Sequence, residues 1–152
     1  MLINRTTGSA SIVPELVYPD VAQAVDWLCG TFGFTEAWRA GGHRARVIFG
    51  NGVVIIADSD PGYGRTAPGR GGRRSHAVMV KVDDVDAHHD HATRHGARIL
   101  SPPADYPYGE RQYSAEDLAG HHWTFTQAIA DLTPEDWGGT TAGASPGEQP
   151  GL

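Results

Sequence analysis

The apolar and polar positions of this chain follow one pattern twice, about 64 residues apart. In each copy an apolar stretch leads to an aspartate, Asp20 or Asp84, and then to apolar residues at helical spacing that end at a glycine, Gly33 or Gly96. An aspartate just before such a stripe is a typical helix N-cap, and a glycine just after it is a typical C-terminal signal. The pattern therefore predicts two α-helices in equivalent positions.

Strand-like stretches surround both helices. In the first copy they cover residues 12–18, 34–40, 43–49 and 53–58, and the second copy has them at 76–82, 98–100, 112–116 and 122–128. Asn51-Gly52 is a strong hairpin signal, whereas Pro102-Pro103 is expected to break a strand. The repeated order predicts an α+β fold. Its two βαβββ repeats are expected to form a curled mixed β-sheet around a cavity, with the helices on the outer face.

We predict a single domain over residues 11–128, made of repeats 11–58 and 75–128 joined by a Gly- and Arg-rich linker, 59–74. Residues 129–152 form a C-terminal tail. Within it, Thr133-Pro134 is expected to start a short helical turn with Trp137 packing back, while the rest has the composition of a disordered segment.

Composition narrows the functional classes. The 152 residues carry a formal net charge of −6, which argues against nucleic-acid binding through phosphate contacts. Cys29 is the single cysteine, so no internal disulfide can form, and no apolar run is long enough for a signal peptide or a membrane span. These features lead us to expect a cytoplasmic protein.

The segment from Tyr108 to Phe125, YGERQYSAEDLAGHHWTF, is similar to the closing signature of the glyoxalase and bleomycin-resistance branch of the vicinal oxygen chelate superfamily. Together with the doubled βαβββ order, the resemblance covers about residues 11–127. It implies a small-molecule ligand and a homodimer. It leaves the activity open, because this superfamily includes lyases, isomerases, dioxygenases and metal-free drug-binding proteins.

The resemblance also implies where a divalent metal would lie, since enzymes of this superfamily hold it with side chains from the first and last strand of each repeat. Counting from the cap aspartates and from the turn glycines Gly52 and Gly120 gives four positions for the metal ligands. Three of these positions carry a hydrocarbon side chain and one carries a hydroxyl, and neither kind replaces the carboxylate or imidazole ligands that such a metal requires. We therefore predict no metal and no cofactor, and His76 would enter the set only after a one-residue shift. The four positions are Val13, Ile56, Ala77 and Thr124.

Strand alternation selects the candidate cavity residues. Glu15 should share the face of Val13, and His122 that of Thr124, which makes Glu15 and His122 candidate acid–base groups. We expect Glu15 to contact a ligand or to pair with Arg111 across the cavity. On the second helix only His89 is expected to point to the core. The full predicted ligand-binding set is Glu15, Trp38, Phe49, Ile56, Tyr108, Arg111, Tyr113, His122 and Thr124.

Two functional hypotheses follow. The first is a metal-free protein that sequesters a drug or metabolite, as in antibiotic resistance, by stacking on aromatic walls and by charge complementarity. The alternative is a lyase, isomerase or dioxygenase of the same superfamily, which would use a displaced metal site or acid–base chemistry by Glu15 and His122. A dimeric scaffold that binds nothing is less attractive because it leaves the cavity without a use.

Overall fold

A computed structural model describes residues 1–143. The predicted two-repeat α+β order is confirmed, and short 3-10 helices add to it at Pro61–Tyr63 and Pro134–Trp137. The first repeat contains β1 (Glu15–Val17), α1 (Val21–Phe32), β2 (Thr35–Ala40), β3 (Arg44–Phe49) and β4 (Gly52–Ala57). The second repeat contains β5 (Val78–Lys81), α2 (Val85–Arg94), β6 (Arg98–Tyr106), β7 (Glu110–Glu116) and β8 (His122–Ala128).

Both helices begin at the predicted caps. The Asp20 carboxylate accepts a hydrogen bond from the Gln23 amide at 3.0 Å, and Asp84 accepts one from the Ala87 amide at the same distance. Helix α1 ends at Gly33, whose φ of 84° lies in the left-handed region that glycine adopts without steric cost. Equivalent caps place the two helices in equivalent positions of the two repeats.

The strands form two separate four-stranded sheets, ordered β1-β4-β3-β2 and β5-β8-β7-β6. In each sheet the first strand runs parallel to its neighbour and the other pairs are antiparallel. Within the described residues, no strand of one sheet pairs with a strand of the other. Each sheet packs one face, the helix face, against the helices; the opposite face is called the far face below. The two sheets therefore do not join into one continuous sheet.

Strand β6 continues through Pro102 and Pro103, so the predicted break there is wrong. The strand lies at the edge of its sheet, where a proline without an amide hydrogen leaves no partner unpaired. The cost is a local irregularity, because the pairing with β7 shifts register between Ile99 and Ser101 and again between Ser101 and Ala104.

One hydrophobic core joins the two repeats. The ring of Phe32, at the end of α1, lies 4.7 Å from that of Phe125 and 5.8 Å from that of Trp123, both in β8. Polar contacts add to this packing, because the Tyr18 hydroxyl donates to Asp117 at 2.5 Å and the His121 ring bonds to the Val17 carbonyl at 2.7 Å. The repeats are thus fixed relative to each other.

The described part of the tail follows the prediction. A short 3-10 helix, Pro134–Trp137, begins after Thr133, and the Trp137 ring packs edge-on against Tyr108 at 6.0 Å. The expectation of disorder in residues 144–152 lies outside the described residues. No helix within residues 1–143 has the length and apolar character needed to cross a membrane.

Candidate functional site

The four positions at which the family would hold a metal do not supply a ligand set. Val13 and Ala77 precede their strands, and Thr124 lies on the far face of β8. Ile56 is fully buried in the core on the helix face, so its predicted role in ligand binding is wrong; Ile55 is the residue that pairs with Glu15. No group of three or more His, Cys, Asp or Glu side chains in residues 1–143 is arranged to hold a metal ion. The residues at the four positions therefore do not fit a divalent metal ion.

Glu15 is neutralised by one cation of its own repeat and one of the linker. Its carboxylate lies 2.7 Å from Arg65 and 3.1 Å from Arg44, and the expected pair with Arg111 does not form. Partial burial raises the pKa of Glu15, but the hydrogen bonds from both arginines outweigh burial and hold that pKa below its usual value. Glu15 is therefore an ionised partner of two arginines and a weak proton acceptor.

Trp38 lies on the far face of the first sheet, where the N-terminal segment crosses it. The indole N–H donates to the Thr6 carbonyl at 2.9 Å. Arg46, the pairing partner of Trp38, donates to the same carbonyl at 3.3 Å and to that of Arg5 at 3.2 Å. The chain's own first residues thus satisfy the polar atom of this predicted ligand residue.

Arg111 and Tyr113 share a face as predicted, but it is the helix face. Tyr113 pairs with Phe125, is fully buried and stacks on that ring at 5.1 Å. Arg111 forms ion pairs with Asp86 and Asp105, at 3.1 and 2.9 Å. Neither residue faces a ligand cavity, which corrects both predictions.

His88 reaches the core from α2, so the prediction that only His89 does so is wrong. Its Nδ1 lies 2.6 Å from the Tyr113 hydroxyl and its Nε2 lies 2.8 Å from the carbonyl of Phe32. A neutral ring satisfies both contacts, with Nε2–H donating and Nδ1 accepting. Burial lowers the pKa of His88, which favours this neutral form. His88 therefore joins the two repeats as a structural residue.

An apolar groove of about 570 Å³ lies between the repeats, where the start of β4 approaches β5. It contains the predicted residue Phe49, whose ring also packs against Phe34 at 5.4 Å. Met79, which pairs with Thr124 on the far face, is 60% exposed. The apolar side chains of the groove belong to Ile12, Pro14, Phe34, Phe49, Val53, Val54, Val78, Met79, Val80 and Val82.

A second cavity, of about 520 Å³, is polar and contains the predicted residue Tyr108. The Thr126 hydroxyl donates to Glu110 at 2.7 Å and accepts from the Gln112 amide at 3.2 Å, and Gln112 accepts from the Tyr108 hydroxyl at 3.3 Å. Lys81, Val82 and Asp83 line both this polar pocket and the apolar groove. The two cavities are therefore adjacent around the end of β5.

Sequence reasoning missed Glu110, Gln112 and Thr126. Polar residues on alternate positions of a strand are typical of a solvated face, so nothing in the pattern distinguished them. Thr124, which was predicted, lies beside them with its hydroxyl 3.2 Å from that of Ser114.

His122 is the first residue of β8. Its ring contacts the Arg74 guanidinium through both nitrogens, and its Nε2 is 3.5 Å from the buried Glu116 carboxylate. Partial burial, followed by the charge of Arg74, lowers the pKa of His122. Glu15 and His122 belong to different sheets and share no polar partner, so no hydrogen bond or ion pair connects the two predicted catalytic groups.

Two βαβββ repeats that share one core, with an apolar groove and a polar pocket beside each other, define the class of α+β proteins built from a doubled βαβββ unit. The chain belongs to the family described as Glyoxalase/Bleomycin resistance protein/Dioxygenase superfamily, whose model matches residues 3–125.

Individual proteins extend this comparison. The chain is 38% identical to TioX from Micromonospora sp. ML1, with a TM-score of 0.66 over 80% of this chain and 100% of that one. It shares its fold with a glyoxalase/bleomycin resistance protein/dioxygenase from Nocardioides, at 22% identity and a TM-score of 0.65 over 82% and 87% of the two chains. An uncharacterised Mycobacterium tuberculosis protein (strain H37Rv) is 27% identical over 83% of this chain and 79% of its own.

Proposed function

We propose that this protein captures an amphiphilic small molecule, a drug or a metabolite, without using a metal. The observation that carries the proposal is the adjacency of the apolar groove and the polar pocket around Lys81–Asp83. Each cavity lies within the usual range of about 300–1,000 Å³ for a small-molecule site. A ligand with a planar apolar part and a polar part would fill both.

The chemistry of the two cavities supports an amphiphilic ligand. Phe34 and Phe49 offer ring surfaces for an apolar part, while the hydroxyls of Tyr108 and Thr126, which line the polar pocket, can exchange their present hydrogen bonds for bonds to a ligand. Charge complementarity from Glu15 and Arg111 is not part of the proposal, because other side chains of the chain neutralise both.

We also propose a homodimer in which a second copy contacts exposed apolar side chains at the rim of the groove and leaves the groove itself to the ligand. Met79 in the groove is exposed, and so are Ile12 at its rim and Leu2 and Ile3 of the N-terminal segment. Burial of exposed apolar side chains favours association. Light scattering should give a mass twice the 16.2 kDa of the chain; a monomer at working concentrations would contradict the dimer.

A fluorescence titration with Nile red, a neutral planar dye, tests the capture proposal. We expect saturable binding to one site per protomer and competition by bleomycin if the captured molecule is an antibiotic of that kind. Met79→Asp should weaken dye binding by roughly tenfold or more, because it adds an unpaired charge to the groove. The matched control is Leu132→Asp, because Leu132 is also an exposed apolar residue, at 41%, and lies outside the groove. Equal effects of the two variants would contradict a specific site.

An enzymatic function is the second candidate, and the contact between His122 and Glu116 favours it. A neutral histidine beside a buried carboxylate is suited to accept a proton. Glu15 is less suited, for the reasons given above. In this case purified protein would turn over a substrate of the family, and His122→Asn would abolish that turnover while Glu15→Gln would not.

A further inference from the structure

A third cavity, of about 410 Å³, lies between the linker and the start of β8 and is called the arginine pocket here. Two arginines, three histidines and two hydroxyl side chains line it, and none of its lining residues is acidic. This differs from the whole chain, whose formal net charge is −6. The lining residues are Thr66, Ala67, Pro68, Arg73, Arg74, Ser75, His76, His121 and His122.

The linker is held firmly where it forms this pocket. The Gly69 amide donates to the Ala119 carbonyl at 3.0 Å, and the Gly71 amide donates to the Glu116 carboxylate at 3.0 Å. Gly120 has φ of 94°, and a Cβ on it would overlap the Gly69 carbonyl oxygen. Backbone contact this close fixes the path of the linker and so places Arg74 beside β8.

Arg74 has donors that residues 1–143 do not satisfy. Its Nη1 contacts the His122 ring, while Nε and Nη2 are buried and have no hydrogen-bond partner in this part of the chain. Among residues 1–143 no carboxylate lies within ion-pair distance of Arg74, since Glu116 contacts Arg98 and His122 instead. Buried arginine donors are normally paired, and leaving them unpaired is costly. The planar guanidinium matches two oxygens of a carboxylate, phosphate or sulfate.

We propose that the arginine pocket binds an oxyanion, held by the guanidinium of Arg74. A small rotation of the side chain away from His122 exchanges two unpaired donors for two charge-assisted hydrogen bonds. Arg73 and His76 add positive or donor character at the mouth, and the Thr66 and Ser75 hydroxyls can donate to the remaining oxygens. The oxyanion is either a free inorganic ion or the acid group of an organic molecule.

Calorimetric titrations with sulfate and with benzoate, at constant ionic strength, distinguish the two sources. We expect saturable binding of at least one of them to one site per protomer. Arg74→Gln should weaken it by roughly 10- to 100-fold, the usual value of a charge-assisted bidentate contact. Arg74→Lys should retain part of the affinity, because it keeps the charge and loses the fork geometry. The matched control is Arg70→Gln, which removes the same charge from an exposed position of the same linker.

Binding of sulfate identifies an inorganic oxyanion site, and binding of benzoate alone identifies an organic acid; both support the proposal. It is overturned if neither anion binds saturably, or if Arg70→Gln weakens binding as much as Arg74→Gln does. A second measurement needs no variant: in the unmodified protein, the anion should shift the ring resonances of His122 and leave those of the exposed His43 unchanged. Nile red binding should survive Arg74→Gln, because Arg74 does not line the groove, so this proposal and the proposed function can fail separately.

Discussion

The contact between Tyr18 and Asp117 offers the sharpest test of how the two repeats hold together. Asp117 is 1% exposed and its carboxylate accepts four hydrogen bonds. Tyr18 from the first repeat donates at 2.5 Å and Trp123 at 3.0 Å, both to Oδ2, while the amides of Ala119 and His121 donate to Oδ1 at 3.0 and 2.9 Å. Burial, followed by the charge of Asp117, raises the pKa of Tyr18, so its hydroxyl stays protonated and donates.

Tyr18→Phe removes this hydroxyl and leaves a buried carboxylate with three donors. A hydrogen bond to a charged group contributes about 1.5–3 kcal/mol, and nothing in so buried a site replaces it. With a urea slope of about 1–3 kcal/mol per molar, the unfolding midpoint should fall by roughly 0.5–3 M. The assay is equilibrium urea unfolding followed by tryptophan fluorescence and, independently, by far-ultraviolet circular dichroism.

Tyr63→Phe is the matched control, because Tyr63 is 83% exposed and the same atom is removed there. It should change the free energy of unfolding by less than about 0.5 kcal/mol. If Tyr18→Phe is as mild as Tyr63→Phe, the buried network does not stabilise the joined repeats and the reasoning is refuted.

Two further predictions concern the linker and the buried histidine. Gly120→Ala should lower the free energy of unfolding by more than about 2 kcal/mol, because a Cβ there overlaps the linker backbone. The control is Gly30→Ala in helix α1, where a Cβ meets open space, and it should be neutral or stabilise the protein by up to about 1 kcal/mol. Equal denaturation midpoints of the two variants would contradict this prediction. Because the pKa of His88 in the folded state lies below its ordinary 6.5, the unfolded chain binds the proton more readily, so stability should fall as the pH drops below about 6.5. His88→Gln, which can keep both hydrogen bonds, should flatten that slope, and an unchanged slope would show that other groups cause it.

The helices and most strands follow from local signals, so they could be predicted from the sequence. Asp20 and Asp84 cap the helices because a carboxylate satisfies free backbone amides. The β3–β4 hairpin forms where Asn51-Gly52 predicts one, but its two turn residues are Gly50 and Asn51, because Gly52 already pairs with Phe49 as the first residue of β4. Pro102-Pro103 misled the prediction because a proline breaks a central strand but is tolerated at an edge, and the position of a strand in its sheet is not a local property.

The faces of the strands were harder to predict, for a physical reason. Residues Val53 to Ala57 are buried on both sides, so the run has no polar alternation to show that Ile55 and not Ile56 pairs with Glu15. The faces of Arg111 and Tyr113 depend on the β7–β8 register, which the length of the intervening turn sets.

Arg74 could not have been selected from the sequence. It lies in a linker without periodicity, next to other arginines, and only the folded path of that linker places it against His122. The groove and the polar pocket arise in the same way, since residues far apart in the chain form them. The candidate site is therefore a product of tertiary structure more than of any motif.

Nile red titration of chelator-treated protein, before and after addition of zinc, tests the central claim of metal-independent capture most directly. The groove and polar pocket predict the same one-site binding curve in both conditions, because the positions predicted for the family metal hold Val13, Ile56, Ala77 and Thr124, none of which is a metal ligand. Dye binding, or turnover of a family substrate, that appears only after zinc is restored would contradict the account.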